Sequence, residues 1–171
     1  KAYVNNGGDI AFRLTAGQVM HGVVAADPVA RLTIGHDHAV RGIATSGRGG
    51  RSLSRGIAES VTVLAASAAE ADAAATMIAN AVDLPGHPEV TRLAACEVSP
   101  DSDLGARLVT RVVGRLTRAE VDRALVAGVT YAETCLGAGL IAGAVLMLKG
   151  QCRIVGDLPV KTLTGTEPMH A

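Results

Sequence analysis

Residues 60–82, SVTVLAASAAEADAAATMIANAV, decide how this chain is read. The apolar run Val61, Thr62, Val63, Leu64, rich in β-branched residues, predicts a buried strand. It leads into Ser67-Ala68-Ala69-Glu70, a capping box in which the Ser hydroxyl accepts from the Glu70 amide and Glu70 reaches back. A helix over residues 67–82 follows, nearly all Ala, and its small side chains allow close packing on a sheet at little cost in side-chain entropy. Asp72, Thr76 and Asn80 recur every four residues, so they share one helical face with a drift of about 40° per step. Asp72 and Thr76 offer oxygen atoms to a hard cation or a polar ligand. An ordinary solvated stripe has the same spacing, and a carboxylate near a helix start needs no ligand to be favourable there. No Lys, Arg or Glu follows Glu70 in the helix, however, so the stripe is expected to be half buried.

Outward from that helix, residues 9–14 (DIAFRL), 20–25 (MHGVVA), 31–34 and 40–45 read as strands. Thr15-Ala16-Gly17-Gln18 joins the first two, and Gly35-His36-Asp37-His38 reads as a hairpin turn between the last two. Pro85-Gly86-His87-Pro88 breaks the chain, and a short β-branched run follows at residues 109–113. The box Thr117-Arg118-Ala119-Glu120 then starts a second helix with Val121, Leu125 and Val129 along one face. Residues 140–148 form a last long apolar strand with 152–155 after it, and from Gly156 to Ala171 the pattern fades into an expected mobile tail. Strands punctuated by two helices, without regular alternation, predict an α+β fold: a mixed or antiparallel sheet with packed helices, over residues 1–155.

The chain has 171 residues, 49% hydrophobic and 19% charged, which is enough for one domain with its own core. One Phe, two Tyr and no Trp leave little for stacking on bases, and 16 basic residues balance 16 acidic ones. Nucleic acid and anionic lipid are therefore not expected as partners. Cys96, Cys135 and Cys152 are odd in number and widely spaced, reading as reduced, mostly buried thiols of a cytoplasmic protein. The longest apolar run contains glycines and is too short for a membrane span. The chain opens at Lys1 directly into the strand-like Ala2-Tyr3-Val4, so it is expected to be the later part of a longer protein.

Two loops carry the remaining polar chemistry. Asn5-Asn6-Gly7-Gly8-Asp9 reads as a tight turn, or as paired glycines exposing amides beside the Asp9 carboxylate. Thr45-Ser46-Gly47-Arg48-Gly49-Gly50-Arg51-Ser52 brings hydroxyls, amides and two guanidinium groups together, as a phosphate cradle does, and equally fits a solvated loop. It is neither a Walker A loop nor a Rossmann fingerprint. His36 and His38 lack a third ligand and read as a surface turn; His21 reads as a core histidine, and no serine sits in a nucleophile elbow.

In this order and spacing, VNNGGDI, GIATSG, SVTVLA and ADAAAT resemble the ApbE-like superfamily, and most of all its bacterial and archaeal branch with NNGGD and TSG-x-GG-R-S. The resemblance runs from Ala2 to about Val155. It implies a flavin transferase relative that uses FAD, FMN and magnesium, with the motif A-D-A-x-A-T supplying Asp72 and Thr76 to the metal. By the same resemblance Gly7, Gly8, Asp9, Thr45, Ser46, Gly47, Arg48 and Arg51 would bind the flavin or nucleotide. The family's His-x-x-Asp-Pro segment is replaced here by residues 52–59, SLSRGIAE, and its K-G-x-A segment lies upstream of NNGGD. A small-molecule ligand is expected, along with homo-oligomerisation or association with an upstream portion. A non-catalytic small-molecule-binding module and a structural or oligomeric protein are the alternatives.

Overall fold

The computed structural model describes residues 1–24, 30–50, 52–158 and 160–162. Its centre is a six-stranded sheet in the order β1-β2-β5-β6-β9-β10, built from β1 (Ala2–Asn5), β2 (Asp9–Arg13), β5 (Gly42–Ser46), β6 (Ser60–Ala65), β9 (Gly143–Leu148) and β10 (Gln151–Val155). Every neighbouring pair is antiparallel. A second sheet, β11-β4-β3, combines β3 (Val19–Val24), β4 (Ala30–Gly35) and β11 (Val160–Thr162). The fold is α+β with antiparallel sheets.

Strand period separates the two faces of the large sheet. Val61, Val63 and Ala65 with Ala144, Leu146 and Leu148 point to one face, where α1 (Ala68–Ala81) and α3 (Arg118–Gly137) pack. Ile43, Leu64 and Val145 point to the other and form a second core with Phe12, Met20, Leu32 and Ile34. The small sheet therefore covers the face that the helices leave open, giving three layers.

The Ala-rich helix forms as its sequence dictates. Ser67 caps it by accepting from the Glu70 amide, and Ala71, Ala74, Ala75, Ile78 and Ala79 are its buried side. The reciprocal half of the box differs, since the Glu70 carboxylate accepts from the Ser67 hydroxyl. Gly42 shows how closely helix and sheet approach: a Cβ there would run into the backbone of Ser67 and Ala68. The Thr117 box is complete in both directions.

Several local expectations are corrected. Gly35-His36-Asp37-His38 is not a hairpin, because β4 and β5 belong to different sheets. The Arg41 guanidinium accounts for the turn by donating to the carbonyls of His36, His38 and Val40. His21 is exposed on β3, with its Nδ1 3.2 Å from the Thr33 hydroxyl. The strand expected from residue 140 begins at Gly143, because Gly139 and Leu140 donate back to carbonyls at the end of α3. Residues 160–162, expected in the tail, pair with β4, whose edge strand supplies the backbone partners. Residues 163–171 lie outside the described residues, as does Ala25.

A third element group comprises β7 (Val90–Ala94), the short α2 (Ala95–Val98) and β8 (Leu108–Val113); the β-branched run at residues 109–113 becomes β8, whereas β7 and α2 were not anticipated. β7 and β8 pair with a register shift at Thr91/Arg92. Arg92 ties this hairpin to Asp83 and to the Arg55 carbonyl. Cys135 is buried, Cys152 half-buried and Cys96 exposed; all three are free thiols. Burial pushes the Cys135 and Cys152 thiols up, the latter partly offset by Arg153. Among the described residues no helix is long and apolar enough to cross a membrane.

Candidate functional site

The register across the sheet places the candidate residues. Asp9 pairs with Ala44, Ala44 with Val63 and Val63 with Ala144, and paired residues share a face. Ala44, Val63 and Ala144 lie in the core under the helices, so Asp9 projects on the α1 side at the sheet margin. Because Gly42 lets the first turn of α1 settle on β5, Asp72 and Thr76 stand over the same margin.

The result is a cleft of about 530 Å³ that joins three segments. Asn6, Gly7, Gly8 and Asp9 form one wall; Thr45, Ser46, Gly47, Gly49, Gly50 and Ser52 form the second; Asp72 and Thr76 form the third. Eight of the ten residues singled out in the sequence thus converge. Arg48 is not among the lining residues, and Arg51 lies outside the described residues. Asn6, Gly49, Gly50 and Ser52 also line the cleft, each inside a motif already legible in the sequence.

The two loops do not use their amides as expected. Asn5 Oδ1 accepts from the Gly7 amide at 2.8 Å, while Asn6 Oδ1 accepts from Gly8 at 3.2 Å and Asp9 at 2.9 Å. Asn6 Nδ2 also donates to Asp9 Oδ2 at 3.3 Å. In the glycine loop, Arg48 donates to the Ala58 carbonyl, Gly49 to Glu59 and Gly50 to Gly47. Neither loop is a nest of bare amides. The first is braced by its own Asn side chains and the second by the residue 58–59 backbone; Gly47 sits at φ 132°, where a Cβ would also lie 2.8 Å from the Glu59 carbonyl oxygen. What they present to the cleft is side-chain oxygen and open space.

The electrostatics are those of two facing carboxylates. Asp72 is pushed above the usual carboxylate range, first by partial burial and then by the Asp9 charge. Asp72 and Thr76 remain exposed at the cleft, more open than the half-buried stripe expected; the space beside them is cleft, not core. Asn80 leaves the stripe, since its Oδ1 accepts from the Arg55 amide at 3.0 Å.

The donor set is hard oxygen throughout: two carboxylates and the hydroxyls of Thr76, Ser46 and Ser52. That chemistry fits magnesium, with the balance of its coordination left to water and ligand. Among the described residues no cluster of three His, Cys, Asp or Glu side chains forms a self-contained metal site. Arg48 Nε is buried without an acceptor among the described residues, and Arg48 is not a lining residue of the cleft.

A protein-family model described as "AbpE bacteria" matches residues 1–154. The chain belongs to the AbpE bacteria family. The match spans β1 through most of β10, and so contains all three walls of the cleft. Among curated proteins no match is found.

Proposed function

We propose that this AbpE bacteria domain is ApbE-like and binds the phosphate portion of a flavin or related nucleotide together with a divalent cation. The observation that carries the reading is the convergence of Asp9, Asp72 and Thr76 with Ser46 and Ser52 in one cleft. Asp72 and Thr76 would hold magnesium, Asp9 would add a third oxygen, and phosphate oxygens would complete the shell. When bound, the cation neutralises phosphate charge. The protein groups orient it: one helical turn separates Asp72 from Thr76, so one face of α1 presents both. The Asn5–Asn6 clamp holds Asp9 opposite them.

The reading extends to binding; FMN transfer is the further step that the resemblance implies. Transfer needs several groups positioned about the pyrophosphate at once. Residues 52–59, in place of the family's His-x-x-Asp-Pro segment, supply Ser52 to the cleft and no histidine.

Calorimetric titration with ADP and with FAD, each with and without magnesium, tests the proposal. Binding of both should depend on magnesium, and Asp72→Ala should weaken it at least tenfold while the far-ultraviolet spectrum stays unchanged. Equal affinity without magnesium, or an unaffected Asp72→Ala variant, would contradict it.

A further inference from the structure

The outward side of α3 is unusual for a solvated helix. Ala119, Arg123, Val126, Thr130, Glu133 and Thr134 are all exposed, and Val126 is 58% so. Their spacing places them on one face, opposite the buried Val121, Leu125, Gly128 and Ala132. The two threonines do not make this face polar. Thr130 Oγ1 donates to the Val126 carbonyl at 3.0 Å and Thr134 Oγ1 to the Thr130 carbonyl at 2.9 Å, so both hydroxyls turn back onto their own helix. Their methyl groups are left to extend the apolar surface around Val126.

The face carries two charges of opposite sign, Arg123 and Glu133. Neither takes part in an ion pair among the described residues. They lie about 15 Å apart along the axis at about 1.5 Å per residue, symmetrically about Gly128. Val126 and Thr130 are symmetric about the same point. A two-fold axis there would bring Arg123 of each copy level with Glu133 of the other, and Val126 level with Thr130. A parallel arrangement would put like charges together. The charge order therefore selects an antiparallel second copy over an unrelated acidic or basic partner.

We infer that the outward face of α3 is a homodimer interface, with two α3 helices packed antiparallel, centred at the level of Gly128 along the axis, and closed at each end by an Arg123–Glu133 pair. α3 packs on α1, β9 and β10, and none of the residues named on its outward face lines the cleft. The inference does not depend on what the cleft binds.

Sedimentation velocity over a range of micromolar concentrations tests it. The chain should dimerise, and Val126→Glu should render it monomeric. Arg123→Glu alone and Glu133→Arg alone each turn two attractions into repulsions, and should each weaken the dimer about tenfold or more. The double variant Arg123→Glu/Glu133→Arg restores opposite signs and should recover most of the affinity. All of these side chains are exposed, and circular dichroism checks that each variant folds. A chain that stays monomeric, single reversals without effect, or a double variant no tighter than the singles would overturn the inference.

Discussion

Asp72 is the residue on which most of the functional reading turns, and its environment makes a stability prediction that needs no ligand. Burial and the Asp9 charge raise its pKa in the folded chain, so folding favours the protonated form. The contribution is fully present below the unfolded-state pKa and lost as pH rises through the folded value. At neutral pH without divalent cation, Asp72→Asn should therefore melt slightly higher than the wild type, and the difference should vanish towards pH 3. Magnesium should raise the melting temperature of the wild type more than that of the variant. Thermal melts across pH, with and without magnesium, measure both effects. Glu120 gives the opposite sign. The His87 imidazole, the Thr117 amide and the Thr117 hydroxyl hold its carboxyl down at about 2. Its contribution is present above about 4.5 and should be lost as pH falls from there towards 2, and Glu120→Ala should flatten that acid limb.

The helices and the buried strands could be read from the sequence because their signals are local. Ser67 and Thr117 announce helix starts through residues three positions on, and residues 61–65 are buried on both faces because layers cover both. β7 was missed for the converse reason: Val90–Ala94 is half exposed, with Arg92 inside it paired to a distant Asp83. The Gly35–His38 turn was misassigned because sheet membership is decided by Arg41 and by the second core, neither of which a short window can show. The close approach of α1 to β5 makes its own prediction. Ala75 is fully buried against the sheet, so Ala75→Leu should overpack the contact and destabilise the protein by about 1–3 kcal/mol. The change on the exposed side, Ala73→Leu, should cost well under 1 kcal/mol. Urea denaturation of the two variants compares them directly, and equal costs would mean that the Ala face is not what seats the helix.

At the scale of the whole molecule, the cleft exists because three sequence-distant segments meet at one end of an antiparallel sheet. Each segment was legible singly: a turn at Asn5–Asp9, a glycine loop after β5 and a polar stripe on α1. Their meeting was implied by the resemblance, whereas the use of their amides was not. Whether an Asn-Gly turn offers its N–H groups or spends them on its own carboxamides depends on side-chain torsions, and here Asn5 and Asn6 consume them. On the proposed function, binding would therefore rest on carboxylates and hydroxyls rather than amides, and so on a cation. The most direct test is a crystal of the chain grown with manganese and ADP, in which anomalous scattering locates the metal. One peak is expected in the cleft, about 2–2.6 Å from side-chain oxygens of Asp72 and Thr76, with a phosphate oxygen in the same shell. Manganese bound away from Asp72, or a nucleotide bound outside the cleft, would contradict it.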